Sequence, residues 1–127
     1  MFDFTGQVIA ITGASSGIGL EIARKFYLAG ARLALCSRSE ERVRSAVADW
    51  ADTSDARLLI ISADTSIIKD IYRFRDAAVE RFGHIDVWVN NAGIEHPMPT
   101  VEMTQEIFDA VVNTNFRGYY FGCQSAA

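Results

Sequence analysis

The chain has 127 residues, room for one domain with a core of its own, and its 50% hydrophobic and 22% charged residues exclude a disordered or low-complexity polypeptide. A net charge of −4 argues against non-specific binding of nucleic acid or an anionic membrane, since both want a basic face. The two cysteines, Cys36 and Cys123, lie near neither each other nor a histidine at metal-ligand spacing, and no apolar run approaches the ~18 residues of a membrane span; no metal site and a soluble, cytoplasmic protein are expected.

Val8–Ile11 is a short apolar run ending at Thr12 and Gly13, the first predicted strand. From Ile18 the period changes to that of a helix: Ile18, Ile22 and Phe26 recur on one side, with Glu21, Arg24 and Lys25 on the other. Gly30 stands where a glycine ends a helix. Leu33–Cys36 is the second strand, followed by a helix to about Ala51 with Ser37 and Glu40 spaced as a capping box. Leu58–Ile61 is the third strand. Ser66 is placed to cap a helix through Phe82, with Ile67, Ile71, Phe74 and Ala78 along one face and Gly83 at its end. Ile85–Val89 is the fourth strand, Pro97–Thr104 a loop, and Thr104 a cap for a last helix running to the end of the chain.

Apolar runs without alternation suit strands buried on both faces of a parallel sheet. Right-handed crossovers then give an open α/β, doubly wound parallel sheet of strand order 3-2-1-4. In that order Val87, Trp88 and Val89 form a bare edge although they read as a central strand, and the last helix ends at Ser125-Ala126-Ala127 with no stop signal. Residues 1–127 are therefore expected to be the first half of a larger single domain.

The segment Thr12-Gly13-Ala14-Ser15-Ser16-Gly17-Ile18-Gly19 joins the first strand to the first helix. There the helix N-terminus offers unpaired N–H groups and a partial positive charge. Gly13 permits the turn, Gly17 lets the backbone approach a diphosphate, and Gly19 lets the helix pack closely on the strand. Ser15 and Ser16 can donate hydroxyls to phosphate oxygens. No Lys-Ser or Lys-Thr follows the last glycine, so this is not a P-loop. A tight turn with no ligand is the plainer reading of the same residues.

The pattern Thr12-Gly-x-x-x-Gly-x-Gly19 resembles the cofactor fingerprint of the short-chain dehydrogenase/reductase family. Asn90-Asn91-Ala92-Gly93 resembles that family's second motif, Asp64 matches its adenine-pocket aspartate, and Asn115 matches its helix asparagine. These motifs, in the family's order, cover essentially the whole chain. The resemblance implies a Rossmann-type dinucleotide-binding domain and hydride transfer between a nicotinamide cofactor and a carbonyl or alcohol. It implies that Gly13, Ser15, Ser16, Gly17, Ile18 and Gly19 meet the diphosphate, and that Asp64, with Thr65 beside it, meets the adenine. Asn91, Ala92 and Gly93 would lie against the nicotinamide-side ribose. Asn115, the catalytic candidate, would sit at a helix irregularity and hold a water in a proton relay.

After the second strand come Cys36, Ser37 and Arg38, with no acid before Glu40. A carboxylate there would take the ribose diol of NAD; Ser37 and Arg38, whose guanidinium can hold a phosphate through parallel hydrogen bonds, favour NADP over NAD. The alternative is that Arg38 merely lies on a solvated helix start; Arg42 could assist, or could equally pair with solvent.

The family's Tyr-x-x-x-Lys pair and its serine are missing. Four residues after Tyr27, Tyr72, Tyr119 and Tyr120 stand Ala31, Asp76, Cys123 and Gln124, and Lys25 and Lys69 lie on outward helix faces. A tyrosine with a pKa of about 10 is no base at neutral pH without such help. The expectation is the cofactor-binding half of an NADP-dependent oxidoreductase acting on a small-molecule carbonyl or alcohol, not competent by itself. The alternative is a non-catalytic dinucleotide- or partner-binding module. By resemblance the last helix, with Phe108, Val111, Val112, Phe116, Tyr119 and Tyr120, pairs with its counterpart in a homo-oligomer. His84 and His96 carry no assigned role, and the substrate stays open.

Overall fold

In the computed structural model, which describes residues 2–127, the strands are β1 (Val8–Thr12), β2 (Arg32–Ser37), β3 (Leu58–Ser62) and β4 (Val87–Val89). The helices between them are α1 (Gly17–Leu28), α2 (Glu40–Val47) and α3 (Ile68–Phe82); a 3-10 turn (Thr100–Glu102), α4 (Gln105–Val112), a π-turn (Asn113–Arg117) and α5 (Gly118–Ala126) follow β4. The sheet has the order β3-β2-β1-β4, and every pairing is parallel. This is the doubly wound arrangement that the apolar runs imply, with β1 central and β4 at the edge.

All five residues of β1 are buried. One sheet face packs Ile9, Ile11, Leu33, Leu35 and Ile60 against Ala23, Val43 and Val47 of α1 and α2. The other presents Ala10, Ala34 and Cys36, whose small side chains leave room for Phe74 and Ala78 of α3. Phe74 is fully buried, 5.4 Å from the Trp88 ring, and burying such a side chain contributes about 1.5–3 kcal/mol. No helix among the described residues is long and apolar enough to cross a membrane.

Several local features differ from the sequence expectation. The sheet-facing residues of α1 are Gly19 and Ala23, while Ile18 is 74% exposed. Gly19 and Ala23 make the closest contact, and Ile22 and Phe26 flank it, half-buried against the core, while lining with Ile18 an apolar groove beside Phe2 and Phe4. The α2 cap is Ser39, whose side chain accepts the Arg42 N–H, rather than Ser37, and the helix ends at Val47 instead of Ala51. Ile67 occupies the α3 cap position and is 47% exposed. Ser66 donates both its N–H and its hydroxyl to Asp64 Oδ1 and caps nothing. β4 is shorter than Ile85–Val89, because Asp86 turns its carboxylate back to accept the Val8 N–H at 2.8 Å. The last helix is interrupted by the π-turn.

A polar clasp ties α1 to the segment entering β3. The Tyr27 hydroxyl donates to Asp55 at 2.7 Å, while Arg57 pairs with Asp55 at 3.3 Å and stacks 4.1 Å from the Tyr27 ring centroid. The Tyr27 hydroxyl and then the Arg57 N–H hold the Asp55 carboxyl below its usual range, and the Tyr27 hydroxyl is raised, chiefly by that same bond. Asp55 therefore adds stability above its unfolded pKa of about 4 that is lost as pH falls further, and Tyr27 adds stability below about pH 10 that is lost as pH rises. Urea midpoints followed into acid should fall less steeply for Tyr27→Phe than for the wild type; identical slopes would show that the clasp carries no linkage. Asp3 and Asp52, lowered by their bonds to Thr5 and Ser54, retain part of the acid slope in both proteins.

Candidate functional site

The carboxyl ends of the strands open into a cleft of about 560 Å³. It lies beside β1 and β4, neighbours in the sheet where the strand order reverses, the switch point of an open α/β sheet. The groove over α1 is of similar size, about 570 Å³, but is almost wholly apolar, whereas polar groups converge only in the cleft.

The β1–α1 loop forms its floor. Gly13 has φ +67°, and a Cβ there would lie 2.8 Å from Ala92 Cα, so both the turn and the neighbouring loop require glycine. Gly17 has φ +57° with open space beside it. Gly19 leaves no room for a Cβ beneath the Asn91 amide and the Gly13 carbonyl, so its close contact is with the β4 loop as much as with the strand. Ser15, Ser16 and Ile18 line the cleft. Ser16 makes no side-chain cap bond, and the first turn of α1 carries no acid. By contrast, the first turns of α2, α3 and α4 carry Glu40 and Glu41, Asp70, and Glu106 respectively. The N–H groups of α1 are thus left to a ligand, with no carboxylate to repel an anion.

Thr12, which the sequence marks as the end of a strand and the first residue of the glycine motif, holds floor and wall together. Its hydroxyl oxygen accepts the N–H groups of Asn91 and Ala92, each at 3.1 Å, and its hydroxyl donates to the Val89 carbonyl at 3.4 Å. Asn91 returns its side-chain amide to the carbonyls of Thr12 at 3.2 Å and Gly13 at 3.0 Å. Asn90 points the other way, accepting from Trp88 Nε1 at 2.9 Å and donating to the Tyr119 carbonyl and Cys123 sulfur. Both asparagines are thereby struts between elements, and Ala92 and Gly93 are left facing the cleft.

At the β2 end, Ser37 accepts the Ser39 N–H and donates to the Ser39 carbonyl, so its hydroxyl is already engaged. Arg38 and Arg42 line the cleft and are exposed, with no ion pair among the described residues. The nearest acid in sequence, Glu40, is held by Arg44 at 2.8 Å. Cys36 is buried, and burial pushes its thiol up to about 12.

On the opposite wall, Asp64 and Thr65 line the cleft. Asp64 Oδ1 is taken by Ser66, and the Asp64 N–H donates to Asp70 of α3 at 2.8 Å. Asn115 lies in the π-turn, at the kind of helix irregularity the resemblance implies. Its side chain accepts the Ile94 N–H at 2.9 Å and donates to the Ile94 carbonyl at 2.7 Å. Both its functions are therefore used in pinning the loop after β4.

No tyrosine, lysine or histidine lines the cleft among the described residues. Tyr27 and Tyr72 are bound to Asp55 and Gln124, His84 lies 3.0 Å from Asp86, and His96 is exposed beyond Gly93.

A family model described as short chain dehydrogenase matches residues 7–127. A levodione reductase of Leifsonia aquatica is 39% identical over 123 residues, covering 95% of this chain and 46% of its own length. A hydroxynaphthalene reductase-like protein of Metarhizium anisopliae is 36% identical over 121 residues, covering 95% and 45%. The chain thus spans about half the length of the curated relatives it matches. Among solved structures, a glucose/ribitol-type short-chain dehydrogenase/reductase from Brucella melitensis superposes with a TM-score of 0.92 at 34% identity, over 98% of this chain and 52% of that one. A metagenomic short-chain oxidoreductase in complex with NADP gives 0.87 at 32% identity, over 96% and 55%. A 3-ketoacyl-(acyl-carrier-protein) reductase from Brucella melitensis, complexed with NADH, gives 0.85 at 34% identity, over 94% and 48%.

Two outcomes are expected of the residues around the cleft. Thr12→Val leaves two N–H groups without an acceptor and should lower stability by about 1–3 kcal/mol in urea melts, with Thr12→Ser close to the wild type. A thiol-reactive disulfide reagent should titrate Cys123 alone in the folded chain and both cysteines in urea; rapid reaction of Cys36 in the folded protein would contradict its burial.

Proposed function

Because the chain belongs to the short-chain dehydrogenase family, we propose that its cleft holds the dinucleotide of an oxidoreductase working between NADP(H) and a small carbonyl or alcohol. Residues 1–127 would then be the cofactor-binding half of a larger single domain. The observation that carries this reading is the convergence, on one cleft, of an acid-free helix N-terminus at one wall and two unpaired guanidinium groups at the next.

In this reading, Gly13 and Gly17 give a diphosphate access to the first-turn N–H groups of α1, with Ser15, Ser16, Ile18 and Gly19 completing the cradle. Arg38, with Arg42 behind it, takes the 2′-phosphate, and the engaged Ser37 hydroxyl shapes the turn that presents them. Asp64 offers its second carboxylate oxygen to the adenine amino group, with Thr65 alongside. Ala92 and Gly93 give the nicotinamide-side ribose a flat wall, held by Thr12 and Asn91. Asn115 fixes the loop at Ile94 and with it the place where a substrate oxygen would lie. The bound cofactor supplies or accepts the hydride; the acid/base group comes from outside these residues, because no tyrosine or lysine faces the cleft.

That absence also favours a second reading, a module that binds the dinucleotide and never oxidises it. The exposed Phe108, Phe116 and Tyr120 of the α4–α5 segment support self-association, and two free cysteines suit a reducing, cytoplasmic setting.

Titration of the full chain with NADPH and NADH tests the cofactor assignment. Arg38→Ala should weaken NADPH by about tenfold, the scale of a charge-assisted hydrogen bond, and leave NADH unchanged. Equal weakening of both would show that Arg38 does not read the phosphate. Steady NADPH oxidation by residues 1–127 with any of a panel of ketones would overturn both readings, since each leaves these residues without an acid/base group.

A further inference from the structure

The wall formed by Asp64, Thr65 and Ser66 keeps its shape through its own bonds. Ser66 donates twice to Asp64 Oδ1, and the Ile67 N–H donates to the Asp64 carbonyl at 3.0 Å. Those bonds set the shape of the loop but not its position. Asp70 holds the loop from the α3 side, through the Asp64 N–H. From the other side, two neighbouring residues at the end of the π-turn hold it. Gly118 lies beneath the Thr65 carbonyl, where a Cβ would be 2.6 Å from the oxygen. Arg117 Nη2 donates to the Ser66 carbonyl at 2.6 Å, across 51 residues of sequence. Arg117 has no carboxylate partner among the described residues, so this backbone carbonyl is what its charge serves.

We infer that Arg117 is a positioning residue for the adenine end of the cleft: its guanidinium, acting through the Ser66 carbonyl, fixes where Asp64 presents its free carboxylate oxygen. This rests on the proposed function, because it assigns a purpose to a wall of that same cleft. The geometry goes beyond a local tether. The five-residue turn that carries Arg117 also carries Asn115, which is bound to Ile94 on the far side of the cleft. A charged donor to a carbonyl is stronger than a neutral one, and without Arg117 this side of the loop would rest on the Gly118 contact, with Asp70 holding only the α3 side.

The test uses the full chain, its Arg117→Met variant, which keeps an apolar stem and loses every donor, and Arg117→Lys, which keeps a charged donor. Adenosine 2′,5′-bisphosphate probes the adenine end, nicotinamide mononucleotide the other, and NADPH both. Arg117→Met should weaken the bisphosphate and NADPH by about three- to tenfold, the range of one partly exposed charge-assisted bond. Nicotinamide mononucleotide should be unaffected, Arg117→Lys should recover much of the loss, and amide exchange at Ser66 and Ile67 should quicken in the Met variant. Unchanged affinity for the bisphosphate in a normally melting Arg117→Met protein overturns the assignment, as does equal weakening of nicotinamide mononucleotide, which would mean general loosening. Failure of the wild type to bind any adenine ligand while exchange still quickens would refute the dinucleotide reading itself, and the adenine role with it. Unchanged exchange would show that Arg117 does not hold the loop, whatever the cleft binds.

Discussion

Thr12 has a single side-chain oxygen, and it bonds to three backbone groups of β4 and the loop that follows. Those bonds require the β1 and β4 loops to lie almost in contact, and the contact in turn dictates the residues around it. Gly13 is small because Ala92 stands over it, and Gly19 because the Asn91 amide does. With α1 drawn down onto the sheet, its fully buried positions are the small residues Gly19 and Ala23. Leu20, Ile22 and Phe26 pack half-buried against the core at the flanks of that contact, and Phe26 meets the edge of the Phe4 ring at 4.8 Å. One buried hydroxyl thus sets the width of the cleft and the rotation of the helix beside it.

The second constraint is electrostatic. The chain carries a net charge of −4, yet acids are kept from the floor of the cleft. Carboxylates occupy the first turns of α2, α3 and α4, where the helix dipole stabilises them, and are absent from α1, where a ligand would compete for the same N–H groups. Glu40 is drawn to Arg44 one turn along α2, leaving Arg38 and Arg42 free at the rim. A local positive end can therefore exist on an acidic protein, helped by the Glu40–Arg44 pair four residues apart, which occupies the acid nearest in sequence to Arg38.

Much of this was readable in the chain. Four apolar runs separated by helical segments fix the sheet order, because each run is long enough for one buried strand and right-handed crossovers leave few alternatives. Gly13, Asn91, Ala92 and Gly93, which gather in the cleft, were readable too because they sit directly after strands, whereas Asn90 turns away to Trp88 and Tyr119. The features that escaped depend on partners remote in sequence. The inward face of α1 is set by Asn91 rather than by helical period. Ser37 and Ser39 lie two residues apart, and only the path of the backbone decides which of them caps α2. The π-turn leaves no mark in composition, and only the resemblance implies an irregularity at Asn115, although Ala110, Thr114, Gly118 and Gly122 recur every four residues. On an unbroken α-helix that spacing drifts about 40° at each step; the wider turn returns the small residues toward the sheet. Arg117 bonds to a carbonyl, a group every residue has, so nothing in its neighbourhood announces it.

The sheet joins partners of very different separation along the chain. β1 meets β2 after a single helix, but Thr12 and Asn91 are 79 residues apart. Chain closure over that span costs more entropy than any local hairpin or crossover, and is recovered only when the β4 contacts form. The floor of the cleft therefore belongs to the early β1–β2 unit and one of its walls to the latest pairing. A molecule bridging floor and wall would reinforce the contact that folding makes last, coupling occupancy of the cleft to completion of the sheet.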